Sequence, residues 1–293
     1  MDLDPAYEKL TWLEVRDLFR TWREENYRKS KDVIALWELV LQSEEHRLGD
    51  ERYLVLEQVC IAAADINRVD IIDQCLYTLH KEFPGSLRVK RLQVLKLELA
   101  EKFDEALKFL DELCKVDETN ASLRKKKIAI LKSRGNIPEA IKELSEYLKK
   151  FMSDEEAWQE LSELYLSEEE YAKAAFCMEE VILISPHNHL YHQRYAEIKY
   201  TQGGYDNLEI ARSHYCLALK LSPNNMRALY GIFLCSANIA LHQKTQSQKK
   251  RESQKLATWA LKQIQSKYSE VETEKSYVSS LEGLMSNLQI SSA

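Results

Sequence analysis

The chain has 293 residues, with 41 basic and 47 acidic side chains, a net charge of −6 and a pI near 5.8. Its 7 glycines and 5 prolines are about 4% of the residues, where average usage is about 12%, so a β-sandwich or barrel, which needs a turn about every 8–12 positions, is excluded. The acidic balance argues against a dedicated nucleic-acid binder, whose affinity comes largely from neutralising phosphates.

The N-terminus, Met1-Asp2-Leu3-Asp4-Pro5, is acidic, and no secretory or mitochondrial leader is readable in it. Residues 11–27 and 31–46 read as a helical hairpin carrying Trp12, Trp22 and Trp37, continuous with the repeats that begin at residue 53. In those repeats Ile72, Ala106, Ala140 and Ala174 lie 34 residues apart, each early in an amphipathic helix, and the next equivalent, Ala211, comes after 37. Pro84, Pro186 and Pro223 stand 12 residues beyond Ile72, Ala174 and Ala211 and stop those helices at one phase.

The units are 53–86, 87–120, 121–154, 155–188 and 189–225. In 155–188, Trp158, Leu161, Ser162 and Tyr165 share one face of a first helix, and Tyr171, Ala174, Met178 and Val181 one face of a second. Small Ser162 and Ala174 let the two helices approach closely. Neither helix buries its stripe alone, so neighbouring hairpins must stack. Units 87–120 and 121–154 fit well in their second helices (Phe103, Ala106, Leu110, Leu113; Ile137, Ala140, Leu144, Tyr147). Their first helices put Lys90, Arg124, Gln93 and Lys127 at positions expected to be apolar, which leaves the packing of those helices in doubt.

The three extra residues of 189–225 are expected in the Gly203-Gly204 turn. Residues 226–268 read as a degenerate hairpin, with helices over 226–241 and 250–268 and a polar, mobile loop over 243–249. The apolar stretch from Ala228 to Leu241 has 14 residues, short of the roughly 18 that cross a bilayer. Residues 269–293, with Val271, Val278, Leu281, Met285 and Leu288, are expected to form a capping helix and tail.

Chemistry-bearing residues are sparse. The run His187, His189, His192 after Pro186 invites a metal reading, but a closed site needs three or four converging ligands; a turn packed on the proline is the simpler account. Cysteines 60, 75, 114, 177, 216 and 235 form no C-x-x-C pair, and those at 75, 114 and 177 fall in second helices as small hydrophobes. Neither a P-loop nor a G-x-G-x-x-G motif is present. No catalytic residue, cofactor or metal is expected. The charge pattern is more informative: residues 121–134 hold Arg124, Lys125, Lys126, Lys127, Lys132 and Arg134 without an acid, and residues 154–170 hold eight acids. This is either a solvated face or a basic partner surface. RNA binding would need aromatic residues interleaved with the basic ones, and these are missing.

The 34-residue hairpin with its W…L-G…Y…A…F…A…P pattern resembles the tetratricopeptide repeat (TPR), which implies an all-α, right-handed α-solenoid whose first helices line an inner groove. In that arrangement Arg88, Arg91, Lys125 and Lys132, and further along Gln159, Glu163 and Gln193, are expected to face a partner. Beyond the repeat pattern, several stretches resemble one family more specifically, the TPR subunits of the endoplasmic reticulum (ER) membrane protein complex. They are Trp22-Arg-Glu-Glu-Asn26, Phe83-Pro-Gly-Ser86 with Arg88-Val-Lys-Arg-Leu92, Tyr171-Ala-Lys-Ala-Ala-Phe-Cys177, Pro186-His-Asn-His-Leu-Tyr191, Tyr200-Thr-Gln-Gly-Gly204 and Asn225-Met-Arg-Ala-Leu229.

The resemblance implies a peripheral subunit on the cytosolic side of the ER membrane. Such a subunit holds the cytosolic parts of membrane-embedded subunits and carries a soluble subunit with an inactive metalloprotease-like fold. The complex inserts tail-anchored and other new membrane proteins without an energy source of its own. Membrane contact would be indirect, through partners, and no nucleic acid is implied. The alternative is a soluble co-chaperone adaptor that clamps a peptide carboxylate in the groove. That clamp needs an asparagine four residues after a first-helix lysine, and Ala129 follows Lys125.

Overall fold

The turns carry the repeat as clearly as the apolar residues do. In the computed structural model, which describes residues 7, 10–242, 247–270 and 283, a left-handed residue recurs at Asn67, Glu101, Gly135, Glu169 and Gly203, with φ of 58°, 55°, 80°, 59° and 73°. These positions are 34 apart. The first four close a first helix in the same way. At the first of them the Asn67 N–H donates to the Ala64 carbonyl and the Arg68 N–H to that of Ala63, which satisfies carbonyls the helix end leaves free. A second series precedes the first helices: the side chains of Asn120, Asp154, Asn188 and Asn225 cap by accepting the N–H of Leu123, Ala157, Leu190 and Ala228 at 3.0–3.3 Å.

Between these punctuation marks the chain is helical, and no strand occurs among the described residues. The helices are α1 (Trp12–Glu24), α2 (Ser30–Leu36), α3 (Arg52–Asp65), α4 (Val69–Glu82), α5 (Leu87–Leu99), α6 (Phe103–Val116), α7 (Ala121–Ser133), α8 (Ile137–Lys150), α9 (Glu155–Ser167), α10 (Tyr171–Ile184), α11 (His189–Gln202), α12 (Tyr205–Leu221), α13 (Met226–Leu241) and α14 (Ser247–Glu270). They form two compact units, residues 1–140 and 141–293.

In the first unit, α3 packs on α4 and α5, and α6 on α5 and α7. One core joins Phe19, Trp22, Ile34 and Trp37 to Val55, Val59, Ile72, Leu79 and Leu92, and another gathers Val94, Ala106, Leu110, Leu113, Leu123 and Ile130. In the second unit, α9 to α14 pack each on the next in chain order, and α11 also meets α13. Ile72, Ala106, Ala140, Ala174 and Ala211 are all 0% exposed, so the repeat's key position is where helices meet most closely. At Ala174 the carbonyl accepts the Ser162 hydroxyl at 3.0 Å.

The structure departs from the sequence expectations in four places. The helix expected over 31–46 ends at Leu36; the chain continues through a π-helical turn (Trp37–Leu41) and a 3₁₀ stretch (Gln42–Glu51) kinked at Glu44 and Gly49. The wider turn still buries Trp37, Leu41 and Leu48, and Gly49 supplies the φ of 53° that the kink requires. The three extra residues of 189–225 lie in α12, which has 17 residues against 14 in α10, while the turn is only Gly203 and Gly204. Three residues advance a helix by about 300°, nearly one turn, so Ala211 returns to the buried face.

The first helices of 87–120 and 121–154 are packed after all. Val89, Leu92, Val94, Leu123, Ile128, Ile130 and Leu131 are buried, and Lys127 leaves its expected apolar role to pair with Asp111 at 2.8 Å. Helix α14 begins at Ser247, three residues before the expected start. Residues 243–246 of the expected loop, and Val271, Val278, Leu281, Met285 and Leu288, lie outside the described residues.

Candidate partner-binding surface

In the first unit, Glu57 on α3, Arg91 on α5 and Lys125 on α7 occupy one repeat position, 34 residues apart, and Arg23, 34 residues before Glu57, lies about two turns nearer the end of α1 at a similar helical phase. Equal helical phase puts the first three on equivalent faces of successive first helices. Glu57, whose side chain is 12% exposed, is the hub: Arg88 Nε lies 2.6 Å from one of its oxygens and Arg91 Nη2 3.8 Å from the other. The Glu57 carboxylate raises the pKa of Arg88. Arg91 also donates to the Ser122 hydroxyl at 3.2 Å. Arg91 and Lys125 line one open hollow of about 310 Å³, together with Ile61, Leu92, Leu95 and Lys126. The structure thus brings Arg88, Arg91 and Lys125 together, whereas Lys132 is exposed further along α7, outside that hollow.

The basic run of α7 is divided in its roles. Lys126 pairs with Glu98 of α5, Lys127 with Asp111 of α6, and Arg124 Nε donates to the Glu118 carbonyl. Part of the run therefore ties helices together.

In the second unit the expected surface residues serve mainly as ties between first helices. Glu163 of α9 receives the Arg194 guanidinium of α11 on both oxygens, at 2.7 and 2.8 Å. Gln159 is half-buried, with the Tyr191 hydroxyl at 3.3 Å. Gln193 departs furthest from expectation. It is 6% exposed, accepts from the Asn225 amide at 2.8 Å and donates to Glu197 at 2.9 Å, so α11 keeps it for α13.

Of the histidine run, His187 is exposed, His189 half-buried and His192 buried. A carbonyl can only accept, so His192 Nε2 donates to Pro186 O at 2.9 Å, and His192 Nδ1 accepts from His214 Nδ1 at 3.1 Å. Burial first, and then the neighbouring His192, lower the pKa of His214. His189 accepts from Asn225 at 3.0 Å. No group of three or more metal-ligating side chains converges among the described residues. Burial pushes the Cys60, Cys177 and Cys235 thiols up to about 12, which keeps them protonated and inert.

Sequence reasoning missed three features. Glu57 and Arg23 could have been found, because counting 34 and 68 residues back from Arg91 lands on them. The third is an open apolar hollow of about 630 Å³ lined by Leu148, Met152, Trp158, Leu161, Tyr165 and Phe176, with Met152 69% and Phe176 54% exposed. Trp158, on the apolar face of the first helix, donates its indole N–H to the Met152 carbonyl, and its ring meets that of Phe176 edge-on. Nothing in the periodicity separates a stripe buried by its neighbours from one left partly open.

A family model described as the EMC2 TPR-like repeat domain matches residues 71–206. The ER membrane protein complex subunit 2 of Xenopus tropicalis is 50% identical over 259 residues, covering 88% of this chain and 87% of that protein. The subunit of the same name from Dictyostelium discoideum is 32% identical over 276 residues, covering 88% and 84%. Among solved structures, the C-terminal part of a TPR repeat-containing protein from Cytophaga hutchinsonii superposes with a TM-score of 0.58 at 14% identity, over 92% of this chain and 93% of that one, a likeness of fold alone. With half its residues shared along nearly nine-tenths of its length, the chain belongs to the ER membrane protein complex subunit 2 family.

Proposed function

We propose that the chain is a non-catalytic scaffold subunit of the ER membrane protein complex, held on the cytosolic side of the membrane by its partners. It gathers the cytosolic parts of the membrane-embedded subunits and carries the soluble, inactive metalloprotease-like subunit. The assembled complex then inserts tail-anchored and other newly made membrane proteins. The observation that carries this reading is the 50% identity to subunit 2 relatives, which spans the same helices that present Glu57, Arg88, Arg91 and Lys125. Its attachment through protein is consistent with the described helices, none of which is long and apolar enough to cross a membrane. A surface of fixed arginines suits charged segments of partner proteins, because complementary charge sets register and excludes wrong partners.

Fractionation tests the reading. The chain is expected to sediment with microsomes, to be digested by protease added outside intact vesicles, and to co-purify with integral subunits from detergent extracts. Alkaline carbonate should release at least part of it. A fully soluble chain in cells that contain those partners would overturn the scaffold reading.

A further inference from the structure

The first-helix face of the first unit ends in a cavity that Glu57 and Arg88 help to line. It has a volume of about 440 Å³ and is lined from α1, α2, α3 and α5, with Trp22, Tyr27, Leu54 and Ile61 among its walls. Four cations line it, Arg23, Arg28, Lys29 and Arg88, against two carboxylates, Glu57 and Asp65. Three of the cations are engaged. Arg28 donates to Asp65 through Nε at 2.7 Å, Arg88 lies on Glu57, and Lys29 Nζ donates to the Tyr7 hydroxyl at 3.0 Å.

Arg23 is different. It is half-buried, and the one hydrogen bond of its guanidinium among the described residues runs from Nη1 to the neutral Gln58 amide oxygen at 2.8 Å. Glu57 of α3, 34 residues later and at a similar helical phase, is by contrast shared by two arginines. A guanidinium has five donors in a planar fork matched to a carboxylate. Arg23 makes no ion pair among the described residues: Glu51, which acts on it at longer range, is already paired with Arg20, so most of the fork is left to the cavity.

We propose that this cavity receives an aspartate or glutamate side chain from an acidic segment of a partner protein, with Arg23 as its principal ligand. This rests on reading the first-helix face of the first unit as a partner surface. The lining favours a peptide over a phosphate-bearing lipid. The apolar walls suit the body of a peptide, and Glu57 and Asp65 can accept its N–H groups, donors that a phosphate group lacks.

The test is photo-crosslinking in cells from position 27, where the exposed Tyr27 of the full chain is replaced by a photoreactive phenylalanine analogue. The expected product joins position 27 to a partner segment that contains Asp or Glu. Arg23→Glu and the milder Arg23→Gln should each cut its yield about tenfold or more, as removal of one member of a desolvated charge pair does. Replacing the crosslinked acid of the partner with lysine should restore the yield in the Arg23→Glu chain, a rescue that a misfolded variant could not show.

The proposal is overturned if no crosslink forms, if the product is lipid, or if it lies in residues 1–6 of the same chain, where Asp2 and Asp4 carry the same charge. It is equally overturned if the segment lacks an acid or the yield ignores both Arg23 variants. Co-purification of the unmodified chain with integral subunits, scored in the same cells, judges the scaffold reading separately.

Discussion

Gly231 lies in the middle of α13, where alanine would ordinarily stabilise a helix by up to about 1 kcal/mol. Here a Cβ would sit 2.4, 2.5 and 2.6 Å from three ring atoms of Tyr215 on α12. The ring would have to retreat by about 1 Å to reach an ordinary contact, and it is 5% exposed in a core shared with Ala196, Ala211, Ala218 and Leu229. Overpacking of this kind costs about 1–3 kcal/mol. The single substitution Gly231→Ala therefore sums two opposing terms, and a double-mutant cycle with Tyr215→Leu separates them. Urea unfolding of the full chain, followed by far-ultraviolet circular dichroism, should show Gly231→Ala about 1–3 kcal/mol more costly with Tyr215 present than in the Tyr215→Leu background. Additivity within about 0.3–0.5 kcal/mol would refute the close packing of α12 on α13.

Ala174→Phe should cost about 1–3 kcal/mol in the same assay, because Ala174 is fully buried where α10 meets α9; no loss would count against the hairpin geometry. Glu101 and Glu169 hold left-handed backbone that costs an L-residue about 1–2 kcal/mol, against about 0.5–1 kcal/mol for the freedom of glycine. Glu101→Gly and Glu169→Gly should thus each stabilise by roughly 0.5–1 kcal/mol, and Gly135→Ala, at φ 80°, should destabilise. The depressed pKa of His214 means that the unfolded chain takes up a proton, near 6.5, before the folded chain does. The His214 contribution is therefore fully present above that pH and is lost as pH falls toward the lower folded value. His214→Gln should flatten the stability profile between about pH 7.5 and 5.5, and an unchanged slope would refute the role given to the His192–His214 pair.

The helical fold was legible because two independent signals coincide in it. Ile72, Ala106, Ala140 and Ala174 mark the tight helix contacts, and Pro84, Pro186 and Pro223 mark helix stops at a fixed distance. The same register holds the turns, although no single residue type announces them: Asn, Glu and Gly all occupy the left-handed position, because the hairpin imposes the conformation and glutamate tolerates it at a cost. The 3₁₀ stretch before α3 was hidden, since Trp37, Leu41 and Leu48 are compatible with a regular helix or with a wider path.

The candidate surface was half legible. Phase located Arg88, Arg91 and Lys125, but it treated side chains as pointing freely outward. Whether a charge meets a partner or a neighbouring helix depends on cross-helix pairs about 31–36 residues apart. Glu163 with Arg194 and Gln193 with Asn225 are such pairs, and they turn expected contact residues into internal ties. Arg23 was passed over because its hairpin precedes the recognisable repeats and closes at left-handed Asn26, 41 residues before Asn67 where the repeat would have 34.

On the scaffold reading, the basic first-helix face of the first unit holds the chain in its complex. Arg91→Glu with Lys125→Glu reverses two charges that line one hollow, and opposing like charges across an interface can cost several kcal/mol. Arg91→Glu also gives up its contacts with Glu57 and Ser122, and a surface ion pair is worth about 0.2–1 kcal/mol, so the purified variant should keep one cooperative melt, lowered by a few degrees. The decisive measurement is quantitative co-purification of the membrane-embedded subunits with the tagged chain from detergent-solubilised microsomes. The double variant should lose those subunits while the purified chain still melts in one cooperative transition; their full recovery would contradict the role given to this face.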